Sequence, residues 1–99
     1  MFLFCLCYNL IMKDLLFFYG LECPHCIDVE KDVDLLNKEG FDIKKIEVWH
    51  NIENDKMLEE LDKGDDMCGG VPFFLNQITG KTICGESNYK ELKKWAQGI

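Results

Sequence analysis

Leu15-Leu16-Phe17-Phe18-Tyr19-Gly20-Leu21-Glu22-Cys23-Pro24-His25-Cys26 is the stretch on which the fold turns. Five apolar residues in a row, Leu15 to Tyr19, are the pattern of a central strand covered on both faces. Gly20 to Cys23 is the loop after it. Pro24 suits the first helical position, where its missing N–H costs no hydrogen bond. Beyond it Cys26, Val29, Val33 and Leu36 recur at three- and four-residue spacing until Gly40 supplies a stop. A buried strand therefore leads into an amphipathic helix that opens at a Cys-x-x-Cys pair.

Further along, Phe41 to Trp49 has strand composition, although the Lys44-Lys45 pair breaks its phase at the start. Asn54 is read as the N-cap of a short helix carrying Met57, Leu58 and Leu61 and stopping at Gly64. Phe73 to Asn76 and Lys81 to Cys84 are strand-like runs separated by Gln77-Ile78-Thr79-Gly80, a spacing that fits an antiparallel hairpin. After Gly85, Ser87 or Asn88 caps a last helix with the apolar stripe Tyr89, Leu92 and Trp95. The order is β-α-β-α-β-β-α, with no internal repeat and no low-complexity tract.

The 99 residues, 47% hydrophobic and 29% charged, suffice for one domain with a modest core. A formal net charge of -7 excludes the basic footprint that a nucleic-acid partner needs. Six cysteines raise the possibility of a stapled secreted scaffold, but such scaffolds replace a core that this chain's apolar runs can build. Met1 to Met12 is apolar yet has no basic n-region or small-residue cleavage site, and Asn9 interrupts it. Lys13 and Asp14 end it well short of the ~20 residues of a membrane helix. We expect residues 1–11 to form an extension outside the fold, residues 12–99 to form the domain, and the compartment to be the cytoplasm. Cys5 and Cys7 receive no role, and no membrane partner is expected.

The element order resembles that of the thioredoxin-like superfamily, to which thioredoxins and glutaredoxins belong, over nearly all of Met12 to Ile99. Two anchors carry the resemblance: the Cys-x-x-Cys after a buried strand at the start of a helix, and Gly70-Val71-Pro72 just before the next strand, similar to the family's cis-proline loop. The resemblance implies an α/β fold with a central four-stranded mixed sheet flanked by helices. It also implies a cis bond before Pro72, a minority state for X-Pro bonds in general, and assigns substrate binding to Gly70, Val71 and Pro72.

The chemistry also follows from the residues. A helix N-terminus carries unpaired N–H groups and about half a positive charge, which stabilises a thiolate at the Cys23 position. Thiolate is the nucleophile of disulfide exchange, and Cys26, one turn further in, can resolve the mixed disulfide. Pro24 opens the helix. A partly protonated His25 adds positive potential and pushes toward oxidising behaviour; the plainer alternative is an exposed helix-start residue. The Pro-His dipeptide resembles that of bacterial disulfide-forming oxidases. Two positions depart from the thioredoxin pattern. Where typical thioredoxins have Trp before the first cysteine this chain has Glu22, whose charge opposes His25, and where they have a buried Asp it has Phe17. Proton movement at Cys26 must then use water or another group.

Several residues admit other readings. Cys84-Gly85-Glu86-Ser87-Asn88 loosely resembles the glutaredoxin turn that binds the carboxylate of glutathione, although Glu22, Asp28 and Glu30 stand where that family places basic residues. Cys23, Cys26, Cys68 and Cys84 could supply four thiolates to zinc or an iron–sulfur cluster, yet only one Cys-x-x-Cys is present. Cys68 and Cys84 are read as small core hydrophobes, with Cys68 alternatively a backup thiol. Trp49, Phe73 and Phe74 are read as core, and His50 as a loop residue without a partner. The expectation is a monomeric thiol–disulfide oxidoreductase with no obligatory cofactor and no bound metal, serving electron transport in redox homeostasis. Its partners are protein disulfides or dithiols and a recycling reductase or oxidase, with glutathione as the alternative.

Overall fold

The structure, a computed structural model, describes residues 15–63 and 67–99. The readings made for residues 1–11, with Cys5 and Cys7, and for the helix stop at Gly64 lie outside the described residues. Strand β1, Leu15–Tyr19, is the inner strand the apolar run calls for, and its first four residues are buried. Side chains alternate across a strand, so Leu15 and Phe17 enter one core while Leu16 and Phe18 enter another. The first core is closed by helix α1, Pro24–Lys38, through Cys26, Val29, Val33 and Leu36, and by Leu92 and Trp95 of the C-terminal helix. The second is closed by Leu58 of helix α2, Ile52–Leu61. Helices therefore cover both faces of the sheet.

Strand β2, Lys44–Glu47, lies parallel to β1, with Phe18 opposite Ile46. Strand β3, Phe73–Asn76, lies antiparallel on the other side, and β4, Thr82–Cys84, forms the far edge. The sheet order β2-β1-β3-β4 is mixed and four-stranded, and helix α3, Tyr89–Gln97, completes the thioredoxin-like β-α-β-α-β-β-α chain. Burying four aromatic rings at Phe17, Phe18, Phe73 and Phe74 supplies much of the apolar burial, at roughly 25 cal/mol per Å².

Several boundaries differ from the sequence reading for local reasons. Residues 41–43 precede β2 as loop, because Asp42 takes a left-handed conformation (φ 53°) and the Asn37 amide satisfies the N–H and C=O of Ile43. The cap of α2 is Asn51, whose Oδ1 accepts the Asn54 N–H at 3.0 Å; Asn54 itself donates to the Glu47 carbonyl. In that helix Leu58 is buried, whereas Met57 is exposed and Leu61 half-buried. Asn88 caps α3, accepting the Glu91 N–H. Trp49 is 53% exposed and leaves the core to Phe73 and Phe74. Among the described residues, no helix is long and apolar enough to cross a membrane.

Candidate active site

Because Pro24 takes the first helical position, Cys23 becomes the N-cap of α1. Its Sγ accepts the Cys26 N–H at 3.2 Å, so the sulfur itself satisfies one of the helix's open donors. The Cys23 N–H donates to the Gly20 carbonyl at 3.0 Å, which closes the loop between β1 and the helix. Cys23 is 4% exposed and Cys26 1%. Burial pushes the Cys26 thiol up to about 12, helped by its hydrogen bond and charge interaction with Cys23 and a smaller push from Glu30, while a backbone hydrogen bond with Gly20 opposes them. The second cysteine is thus held as a protonated thiol at neutral pH.

Phe17 lies in the same core cluster as both cysteines, fully buried and stacked on Phe74 at 4.8 Å between centroids.

Pro24 and His25 are exposed at the start of the helix. His25 Nδ1 lies 2.6 Å from Glu86 Oε1, a pairing 61 residues apart in sequence. Glu22, expected to oppose His25, instead holds the ring of His50 at 2.8 Å. That hydrogen bond raises the His50 pKa, with the charge of Glu22 adding to it. His50 therefore has a partner, and each histidine beside the cysteines is answered by its own carboxylate. The loop carrying Glu22 is anchored by Glu47, whose carboxylate accepts the N–H groups of Leu21, Trp49 and His50. Desolvation pushes the Glu47 carboxyl up, but these three donors outweigh it and hold it below the ordinary carboxylate value.

Across from the cysteines, the Val71–Pro72 peptide bond is cis. Val71 packs against the cluster that contains Cys23 and Cys26, and Pro72 is buried. The Pro72 carbonyl accepts the Gly85 N–H at 2.8 Å. On the other side of the loop the buried Asp62 carboxylate accepts the N–H groups of Cys68 (2.7 Å) and Gly69 (2.8 Å). A pocket of about 310 Å³ opens beside it, lined by Val48, Trp49, Leu58 and Gly69 to Val71, with Asp55 and Glu59 at its rim.

Cys68 and Cys84 are joined in a disulfide, which corrects their reading as core hydrophobes or a backup thiol. Cys84 sits opposite Phe73 at the end of the hairpin, and the chain before Pro72 folds back to meet it. Two of the four thiolates of the metal reading are thereby tied up, and no other group of three ligating side chains comes together among the described residues. The roles of His50 and Glu86 escaped the sequence reading because each meets a partner distant in the chain, and those of Glu47 and Asp62 because their carboxylates bind backbone N–H groups of loops, which no residue pattern marks. The two cysteines flanking the hairpin and its proline loop were the one available signal for the disulfide.

No family model and no curated protein matches the chain. Among solved structures it is similar to a crystal structure of a glutaredoxin from Archaeoglobus fulgidus, at 25% identity and a TM-score of 0.59, over 92% of this chain and 94% of that one.

Proposed function

This chain is a member of the thioredoxin-like superfamily with a thiol–disulfide oxidoreductase-type fold, and from that premise we propose that Cys23 and Cys26 exchange a dithiol for a disulfide with protein substrates. The asymmetry of the two thiols carries the reading: both are buried, but the Cys23 sulfur caps α1 and accepts one of its N–H groups, whereas Cys26 holds its proton. In the reducing direction the Cys23 thiolate attacks a substrate disulfide. A bond forms between Cys23 Sγ and one substrate sulfur, the substrate S–S bond breaks, and the departing thiolate takes up a proton. Cys26 then gives its proton to water and attacks Cys23 Sγ, releasing the second substrate thiol and leaving a Cys23–Cys26 disulfide. Two electrons pass to the substrate; the oxidising direction is the reverse, and a separate reductase or oxidase resets the pair. Val71 offers its backbone to the substrate chain beside Pro72 and Gly70, Pro24 sets the helix start, and His25 adds positive potential when protonated.

Protein substrates are favoured over glutathione by the surroundings. Two donors near the turn Cys84 to Asn88 are already engaged: the Gly85 N–H donates to the Pro72 carbonyl, and the Asn88 side chain takes the Glu91 N–H at the start of α3. Glu86 adds a negative charge to that turn, and Asp55 and Glu59 rim the neighbouring pocket. Both features disfavour the stable binding of a tripeptide with two carboxylates that a glutathione-dependent enzyme needs, without barring brief thiol exchange at an exposed cysteine.

Reduction rates toward a disulfide-bonded protein and toward a glutathionylated peptide test this reading. We expect faster reduction of the protein disulfide by the chain's dithiol form. Preference for the glutathionylated peptide assigns the chain to glutathione chemistry, and inertness toward both removes the oxidoreductase reading.

A further inference from the structure

We propose that Cys68–Cys84 is a second redox couple, reducible in the folded protein by a low-molecular-weight monothiol such as glutathione, whose state controls the Cys23-Cys26 site. Its position in the fold makes the argument. Cys84 ends the three-residue edge strand β4 and is exposed, so an incoming thiol can reach it; Cys68 is half-buried. Neither belongs to the buried core. The pairing of β4 with β3, the Asp62 hydrogen bonds and the bond from Gly85 to Pro72 hold these segments without using either sulfur, so the fold has supports independent of this bridge.

Both sides of the active site do depend on it. Residues 67–72 form no helix or strand, and Cys68 lies four residues before Pro72. Cys84 lies one residue before Gly85, which holds the Pro72 carbonyl, and two before Glu86, which holds His25. One covalent bond therefore joins the support of the cis-proline loop to the support of the histidine between the two catalytic cysteines. When it opens, Val71 and Glu86 lose a shared anchor while the sheet beneath them stays intact.

The chemistry is a two-electron exchange. A monothiol thiolate attacks Cys84 Sγ, the S–S bond breaks, and Cys68 leaves and takes up a proton. A second monothiol attacks the resulting mixed disulfide and releases Cys84 as a thiol. Two monothiols become one disulfide, and the bridge becomes two thiols.

This inference rests on the proposed function only for its kinetic readout. The full chain is equilibrated in glutathione buffers of graded poise, quenched with acid and alkylated, and the peptides carrying Cys68 and Cys84 are quantified by mass spectrometry. Circular dichroism on the same samples reports the fold. We expect Cys68 and Cys84 to become labelled together, with the circular dichroism unchanged. Between poises that differ only in the state of this bridge, the rate of Cys23 toward a peptide disulfide should change by about fivefold or more. Cys68→Ser/Cys84→Ser should reproduce the rate of the bridge-reduced chain, and the native chain at reducing poise supplies the same comparison if that variant does not fold. Resistance of the bridge to excess glutathione until the fold melts overturns the proposal, as does an unchanged rate. A chain inactive at every poise defeats the oxidoreductase reading instead, because the labelling still reports whether Cys68 and Cys84 form a couple.

Discussion

His50 Nε2 lies 2.8 Å from the Glu22 carboxylate, which places an ion pair one residue before Cys23, the proposed nucleophile. The hydrogen bond to Glu22 raises the His50 pKa, so this pair favours the folded state at pH values below an ordinary histidine's ~6.5 and stops doing so as pH rises through the raised value. Above that pH, His50 no longer compensates the charge of Glu22. Glu22→Gln should lower the His50 titration midpoint, read from its ring proton shifts. An unmoved midpoint contradicts the pairing.

Phe17 is fully buried between Tyr19 and Phe74, with centroids at 5.5 and 4.8 Å. Phe17→Asp removes that packing, worth about 3–5 kcal/mol for a buried Phe reduced to Ala, and adds a carboxyl that must stay protonated or pay for burial. Urea denaturation should show a loss of at least that size. The same carboxyl, beside Cys26 in the core, should speed release of the mixed disulfide in whatever fraction stays folded. Unchanged stability shows that the side chain is not held in the core.

Asp62 is a buried carboxylate whose oxygens accept two backbone N–H groups of the loop before Pro72. Asp62→Ala leaves those donors without partners and should cost about 1–3 kcal/mol for each one that water does not reach. Asp62→Asn keeps one acceptor and should cost less. Hydrogen exchange at Cys68 and Gly69 reports the effect locally, and equal protection in both variants contradicts the assignment.

Gly20 leaves room for nothing larger, because a Cβ there would collide with the Trp49 ring at Cδ2. Gly20→Ala should displace the indole, shift the tryptophan emission and disturb the carbonyl that holds Cys23 N–H. In a Trp49→Ala background the same alanine should be tolerated much better, so the two changes should couple strongly in a double-mutant cycle. Additive effects contradict the contact.

Local chemistry carried the fold. Residues 15–26 set a buried strand against a helix start, and three- or four-residue spacing placed Val29, Val33, Leu36, Leu92 and Trp95 in the core, where the structure has them. The candidate site was readable as a local pattern: Cys23, Pro24, His25 and Cys26 fall within a single turn, so their spacing alone brings them together at the start of α1. What stayed hidden depends on chain reversal. His25 meets Glu86 across 61 residues, His50 meets Glu22 across 28, and Cys68 meets Cys84 across 16; no periodicity records such meetings. Asn51 displaced Asn54 as a cap because Asn54 is recruited by the Glu47 carbonyl, again a contact outside the helix. Trp49 looked like core by composition, but β2 ends at Glu47 and leaves the ring on the surface over Gly20.

The central claim is the division of labour between the two thiols, and covalent trapping tests it most directly. Cys26→Ser keeps the attacking sulfur and loses the resolving one. Mixed with a disulfide-bonded protein, it should accumulate a conjugate, visible on a non-reducing gel, that collapses on adding reductant and maps to Cys23 by mass spectrometry. Cys23→Ser should form none, since the remaining Cys26 is buried and its burial, the largest cause of its raised pKa, still favours the protonated thiol. A conjugate formed through Cys26 in Cys23→Ser, with none in Cys26→Ser, contradicts the account.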